Sequence, residues 1–128
     1  MMKVKTLDEK KKILYVVTSS AATPERIYAP FILATAGAVM GIDVTIYFLI
    51  EGVTLLKKGE AEKLKLESFP SMREVIDKAV ESGVKLEVCE QSCMLLGLDK
   101  SNFEYDVDVV GATALNDVIL NADAVLTF

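Results

Sequence analysis

A strand-to-helix junction is encoded by residues 84–97, which read VKLEVCEQSCMLLG. Apolar residues alternate with charged ones over positions 84–88, and this period of two predicts a short strand. Cys89 then precedes a polar link, after which Ser92 offers an N-cap oxygen to a short apolar helix. Both cysteines of the protein therefore stand where a strand passes into a helix. In α/β proteins this is a common place for chemistry, because the carboxyl ends of strands open onto a crevice that helix N-termini face.

On either side of this junction the chain alternates between predicted strands and helices. Continuous apolar runs at residues 13–17 and 44–50 are typical of parallel strands that are buried on both faces. This alternation predicts βαβ units and a three-layer α/β/α fold with a mostly parallel sheet. The other predicted elements are helices at 23–40, 71–82 and 112–120, a short strand at 107–110 and a final buried strand at 124–128.

The first two predicted helices carry recognisable boundary signals. Thr23 is predicted to cap the first helix, and Pro30 either kinks this helix or marks its true beginning. Ser71 and Glu74 form a predicted capping box at the start of the second helix, which Gly83 ends. The apolar stripe of that second helix consists of Val75, Ile76, Ala79 and Val80.

Length and charge limit the possible classes of protein. The chain has 128 residues, of which 52% are hydrophobic, and this predicts a charged flexible tail at 1–11 and a single domain at 12–128. Its net charge of −5 argues against a nucleic-acid partner, which would require a basic face. We see no secretory signal and no apolar run long enough to span a membrane, so we expect a cytoplasmic, reducing location and free thiols.

The complete lack of histidine removes several mechanisms at once. A Cys-His dyad, a Ser-His-Asp triad and a His-ligated metal are each impossible within one chain. The segment at residues 19–23 also lacks the glycines of a dinucleotide or P-loop motif, which argues against a nucleotide or a flavin. We therefore expect neither a metal nor a cofactor.

Cys89 and Cys93 are the candidate catalytic residues. Backbone N–H groups of the following helix would stabilise the Cys89 thiolate and activate it as a nucleophile or sulfur carrier. Cys93 is a candidate second acceptor or resolving thiol. The alternative for each cysteine is that it serves only as a small buried hydrophobic residue.

Polar residues near the strand ends are candidates for lining a pocket beside Cys89. Their alternative role is in turns and helix caps. The candidates are Ser19, Ser20, Glu51, Gly52 and Ser92. The charged segment at residues 57–70 is predicted either as a solvated surface loop or as a lid near the strand ends.

The order of these segments over residues 13–128 resembles the DsrE/DsrF-like sulfur-carrier family, in its archaeal and bacterial DsrE-like branch. The segments that carry the resemblance are YAPFILAT at 28–35, MGIDVT at 40–45, Gly52 with LLKKG at 55–59, the Cys89, Ser92 and Gly97 spacing, and the ending from residues 110–112 to 122–123.

The resemblance implies a five-stranded parallel sheet and assembly into trimers or hexamers. It also implies a persulfide or thiosulfonate on Cys89, which is passed to a partner such as a TusA-like protein. Cys93 departs from the family pattern, which usually has an apolar residue there, so either thiol could be the primary carrier.

Three functions follow as hypotheses. The first is a sulfur carrier or sulfurtransferase, acting as a carrier rather than as a multiple-turnover enzyme. The second is a thiol-disulfide or peroxide-reducing enzyme that uses Cys89 and Cys93 as its reactive pair. The third is a non-catalytic oligomeric domain that binds a small ligand and keeps both thiols buried.

Overall fold

Five parallel strands form the centre of the computed structural model, which describes residues 10–128. The strands are β1 (Lys12–Val17), β2 (Asp43–Phe48), β3 (Lys85–Cys89), β4 (Asp108–Val110) and β5 (Ala124–Thr127). Their order across the sheet is β4-β3-β2-β1-β5. The helices are α1 (Pro24–Val39), α2 (Met72–Glu81), α3 (Glu90–Leu96) and α4 (Ala112–Asn121), with 3₁₀ turns at Ile50–Leu56, Ala61–Lys63 and Lys100–Asn102. The predicted α/β class with its parallel five-stranded sheet is confirmed.

Side chains alternate between the two faces of the sheet and build two separate cores. The larger core lies beneath α1 and α2, where Phe48 of β2 stacks on Phe31 of α1. The smaller core lies beneath α4 and contains Leu14, Val16, Tyr47 and Cys89. Cys89 therefore faces α4, on the opposite side of the sheet from α1 and α2.

Helix α1 passes through Pro30 without interruption. It begins at Pro24, where the missing N–H of proline costs nothing, and it continues to Val39. Pro30 is buried next to Phe31, so packing against the core offsets the single helical hydrogen bond that this proline cannot make. Thr23 stands at the predicted cap position, but its side chain makes no capping hydrogen bond.

Helix α2 follows its predicted boundaries but buries a narrower stripe. The Ser71 side chain accepts a hydrogen bond from the backbone N–H of Glu74 at 3.2 Å, which is one of the two hydrogen bonds of the predicted capping box. The buried residues are Met72, Ile76 and Ala79, whose spacings of four and three place them on one face. Val80 was predicted to join this stripe, but it lies at its edge and is exposed to solvent.

Strand β5 has the predicted position but not the predicted burial. All four of its residues are exposed, and Leu126 retains 48% of its accessible surface. The reason is topological, since β5 pairs only with β1 and forms the edge of the sheet. In addition, no residue of α4 is fully buried, so this helix only partly covers the adjoining face. Burial within one chain therefore does not explain why β5 is so apolar.

The segment at residues 57–70 packs against the larger core. The Tyr28 hydroxyl lies 3.3 Å from the carbonyl oxygen of Leu64 and 3.0 Å from that of Pro70. Arg73 of α2 binds Glu62 and also reaches Glu104 in the connection that precedes β4. These contacts tie the segment to α1 and α2, on the face opposite Cys89, and so favour the surface-loop interpretation over the lid.

The predicted flexible tail comprises residues 1–11, of which residues 1–9 lie outside the described residues. Lys11 itself joins the sheet, because its carbonyl oxygen accepts a hydrogen bond from the N–H of Asp43 at 2.9 Å. Within residues 10–128, none of the helices is both long and apolar enough to cross a membrane.

Replacing Ser71 by alanine tests how much the α2 cap contributes. We expect the free energy of unfolding to fall by about 1 kcal/mol, because the N–H of Glu74 loses its acceptor. Chemical denaturation would measure this change, with Ser68→Ala in the exposed segment before the helix as the matched control. Equal stability of the two variants would contradict a stabilising cap.

Candidate functional site

Cys89 lies where connections leave the sheet toward opposite faces. It is the last residue of β3 and pairs with Val110, the last residue of β4. After β3 the chain enters α3, whose Cys93 packs into the larger core, whereas after β4 it enters α4 on the other face. Helices α3 and α4 therefore both begin at this end of the sheet, on opposite faces, and Cys89 lies between their starts.

The sulfur of Cys89 is itself the N-cap of α3. It accepts a hydrogen bond from the backbone N–H of Ser92 at 3.3 Å, and the backbone of Cys89 is extended, as a capping residue requires. Ser92 was predicted to be the cap, and this was wrong by three residues. The predicted polar link, residues 90–92, is instead the first turn of the helix.

Ser92 connects Cys89 to the turn that follows β2. Its hydroxyl oxygen accepts a hydrogen bond from the N–H of Ile50 at 2.8 Å, and the side chain is 4% exposed. The backbone N–H of Ser92 donates to the Cys89 sulfur, and the Ser92 side chain lowers the Cys89 pKa further. The structure thus brings Ser92 next to Cys89, and its role in lining a pocket stays a prediction.

The turn after β2 is held in an unusual conformation. Ile50 has a φ of 59°, a left-handed value that costs a β-branched residue about 1–3 kcal/mol. Gly52 packs so closely on β1 that an added Cβ would collide with the carbonyl oxygen of Val17. Sequence analysis singled out Gly52 but not Ile50, because nothing in a β-branched side chain signals a positive φ.

Tyr47 is a second residue of the site that sequence analysis missed. It is fully buried on the same sheet face as Cys89, and its hydroxyl donates to the carbonyl oxygen of Val110 at 2.9 Å. In the sequence this tyrosine is indistinguishable from the other β-formers of its strand. Only the strand order shows that it approaches Cys89.

The two thiols have opposite electrostatic environments. Burial by itself would raise the pKa of Cys89, but donors from the Ser92 side chain and backbone, the Tyr47 hydroxyl and the Gln91 backbone outweigh it, so that this pKa lies below its ordinary value. Burial raises the pKa of the Cys93 thiol, and the nearby Cys89 raises it further. The surroundings therefore stabilise the thiolate of Cys89 more than that of Cys93.

The remaining predicted pocket residues take part in turns. The Ser20 carbonyl accepts a hydrogen bond from the N–H of Thr23 at 3.1 Å, and Ser19 is half-buried in the same connection. Glu51 is exposed, and its carbonyl oxygen accepts from the Thr54 hydroxyl at 2.7 Å. For Ser19, Ser20 and Glu51, a role in lining the pocket stays a prediction.

The described residues offer no candidate metal cluster, and a cavity on the α4 face lies at the other end of the sheet from Cys89. Within residues 10–128, no three Cys, Asp or Glu side chains form a group that could hold a metal ion. A cavity of about 240 Å³ lies on the α4 face of the sheet, lined by residues that include Lys12, Asp43 and Lys85. These residues stand at the amino ends of their strands, whereas Cys89 stands at a carboxyl end.

Comparison with solved structures identifies the fold. The ychN protein from E. coli superposes with a TM-score of 0.77 at 20% identity, covering 92% of this chain and 99% of that one. The protein MTH1491 from Methanobacterium thermoautotrophicum superposes with a TM-score of 0.68 at 12% identity, covering 94% and 100% of the two chains. At these identities the likeness concerns the fold alone.

Sequence comparison identifies the family. The uncharacterized protein MJ0760 of Methanocaldococcus jannaschii is 31% identical over 106 residues, which are 82% of this chain but only 38% of that protein. The sulfur carrier protein DsrE2 of Allochromatium vinosum is 24% identical over 158 residues, covering 92% of this chain and 98% of that one. A model of the DsrE/DsrF-like family matches residues 11–128. The resemblance inferred from the sequence is thereby confirmed, and the chain belongs to the DsrE/DsrF-like family.

Proposed function

We propose that the protein is a cytoplasmic sulfur carrier that holds a persulfide or thiosulfonate on Cys89 and passes it to the thiol of a TusA-like partner. The observation that carries this proposal is the set of hydrogen-bond donors around the Cys89 sulfur, which lowers the pKa of a buried thiol. The similarity to a protein named a sulfur carrier supports the same conclusion.

Two thiol exchange steps complete the cycle without net oxidation. The Cys89 thiolate attacks the outer sulfur of a donor persulfide, forming a new S–S bond while the donor leaves as a thiolate. The thiolate of the partner then attacks the outer sulfur on Cys89, and Cys89 leaves as a thiolate. One sulfur atom moves in each step, and neither step needs a histidine, a metal or an oxidant.

Burial of Cys89 suits a carrier of a labile group. The residue is 6% exposed, so a sulfur bound to it is shielded from small reductants in bulk solvent. A partner thiol must reach Cys89 at the carboxyl ends of β3 and β4 to collect that sulfur. The site thereby favours transfer to a protein whose surface fits this end of the sheet.

The environments of the two thiols favour Cys89 as the principal carrier. Cys89 faces α4 in the smaller core, whereas Cys93 packs into the larger core and has a raised pKa. An auxiliary role therefore suits Cys93 better than that of the first nucleophile.

Homo-oligomerisation is part of the proposal. Large apolar side chains are exposed on α3, α4 and β5, including Leu95 at 86% and Leu120 at 81%. Apolar surface of this extent on a small domain marks interaction sites. A trimer or hexamer of this chain would cover it.

Intact mass spectrometry tests the carrier. After incubation with polysulfide or tetrathionate, we expect the wild type and Cys93→Ser to gain one sulfur-containing adduct that dithiothreitol removes. Cys89→Ser should gain none, because its remaining thiol is buried and has a raised pKa.

Retention of full loading by Cys89→Ser would contradict the role of Cys89. Treatment of the reduced protein with hydrogen peroxide tests the alternative enzyme. A rapid disulfide between the two cysteines would favour thiol-disulfide or peroxide chemistry, and the absence of any reaction at either thiol would favour a non-catalytic domain.

The pH dependence of alkylation tests the activated thiol. In Cys93→Ser, the rate of reaction of Cys89 with iodoacetamide should fall as the pH decreases through the Cys89 pKa, because protonation removes the thiolate. We expect the midpoint to lie below about 8.5, the value of an ordinary cysteine. The midpoint for Cys93, measured in Cys89→Ser, should lie above that value, and the reverse order would contradict the assignment.

Light scattering combined with size-exclusion chromatography tests the assembly. We expect the wild type to elute at three or six times the mass of one chain. The double variant Leu120→Lys/Leu126→Lys should elute as a smaller species, because two charges would be buried in the interface. Val39→Lys on α1, which is also highly exposed, is the control. A monomeric wild type would refute this part of the proposal.

A further inference from the structure

The hydrogen bond of the Tyr47 hydroxyl reaches across β3, the strand that carries Cys89. Tyr47 belongs to β2 and its hydrogen-bond acceptor, the carbonyl of Val110, belongs to β4, while β3 lies between them. Cys89 is the residue of β3 that pairs with Val110, and it shares the smaller core with Tyr47. A hydrogen bond that connects β2 to β4 at this level must pass beside the Cys89 sulfur.

A tyrosine hydroxyl has one proton to donate, and two acceptors lie near this one. When Cys89 is a thiol, its own proton is directed to the Gln91 side-chain oxygen, 3.7 Å from the sulfur, and the Tyr47 hydroxyl is free to donate to Val110. When Cys89 is a thiolate, the sulfur carries a full charge in a buried site. Hydrogen bonds to ionised acceptors are stronger than those to neutral ones, so the thiolate competes well with the carbonyl.

We propose that Tyr47 is a positioning residue for Cys89. The Tyr47 hydroxyl donates to the Val110 carbonyl while Cys89 is protonated or carries sulfur. When the Cys89 thiolate forms, the hydroxyl turns and donates to the Cys89 sulfur. This inference rests on the proposed function, because it assigns a partner to the thiolate that the carrier cycle uses. The alternative is a purely structural tyrosine that only fastens β4 to the sheet.

The hydroxyl acts without giving up its proton. Burial raises the pKa of Tyr47 well above its usual range, and the hydrogen bond to Cys89 raises it further, so the phenol stays neutral throughout. During release, the partner thiolate attacks the outer sulfur, the S–S bond to Cys89 breaks and both electrons of that bond stay on the Cys89 sulfur. The Tyr47 hydroxyl then stabilises the leaving thiolate, and leaving thiols of lower pKa depart faster.

Tyr47→Phe in the Cys93→Ser background tests this role, since it removes the hydroxyl and keeps the ring that fills the core. We expect the midpoint of Cys89 alkylation by iodoacetamide to rise by about one pH unit, the size expected for one lost hydrogen bond to a charged group. Release of sulfur from loaded Cys89 to a small acceptor thiol should slow several-fold.

Tyr15→Phe is the matched control. Tyr15 is a buried tyrosine on the neighbouring strand β1, but its side chain belongs to the larger core on the opposite face. Removal of the Tyr15 hydroxyl should leave the midpoint of Cys89 alkylation unchanged. An unchanged midpoint in Tyr47→Phe as well would overturn the proposal and leave Tyr47 with a structural role alone.

Fluorine NMR tests the same switch without a substitution at residue 47. The chain contains four tyrosines, so protein labelled with 3-fluorotyrosine gives a small set of resonances. One resonance should titrate with the alkylation midpoint of Cys89 and lose that titration in Cys89→Ser. If none follows Cys89, the proposal fails even where Tyr47→Phe does not fold.

These measurements separate the two proposals. Alkylation midpoints and fluorine shifts report the hydrogen bond to the thiolate, whether or not Cys89 accepts sulfur. A shifted midpoint without sulfur loading would support Tyr47 and refute the carrier. Sulfur loading of Cys89, together with an alkylation midpoint that Tyr47→Phe leaves unshifted, would support the carrier and refute the role of Tyr47.

Discussion

The hydrogen bond from the N–H of Ser92 to the Cys89 sulfur joins the sheet to helix α3 and at the same time lowers the pKa of that thiol. Helix α3 has seven residues; Ser92 and Cys93 are buried, whereas Met94 and Leu95 on its outer side are exposed. Both ends of this short helix are capped. The Cys89 sulfur accepts a hydrogen bond from one N–H of the first turn, and Gly97 ends the helix in a left-handed conformation.

In a chain without histidine, hydrogen-bond donors stabilise the Cys89 thiolate. Two opposing effects act on Cys89, since burial disfavours the thiolate while the helix N-terminus, Ser92 and Tyr47 stabilise it. The donors that act on the sulfur belong to β2 and to the first turn of α3. Cys93, only four residues further on, lacks such donors, and burial raises its pKa.

The exposed apolar surface and the sheltered thiol are consequences of the same topology. Strand β5 lies beside β1 at the edge of the sheet. Helix α4 covers this part of the sheet only partly, so β5 stays largely exposed. The connections after β3 and β4 leave the sheet on opposite faces, and Cys89 lies between them.

Local patterns in the sequence determined the parallel α/β class, the Ser71 cap of α2 and the placement of Cys89 at a strand-to-helix junction, because period, caps and turn residues act over a few neighbouring positions. Tertiary structure alone decided that Cys89 rather than Ser92 caps α3, that β5 is an exposed edge and that Ile50 adopts a left-handed turn. It also decided that Tyr47 lies beside the Cys89 sulfur. These features depend on strand order and on contacts between residues more than forty positions apart, such as Ile50 with Ser92 and Tyr47 with Val110. No local pattern contains that information, since which strands become neighbours is set by the packing of the whole sheet.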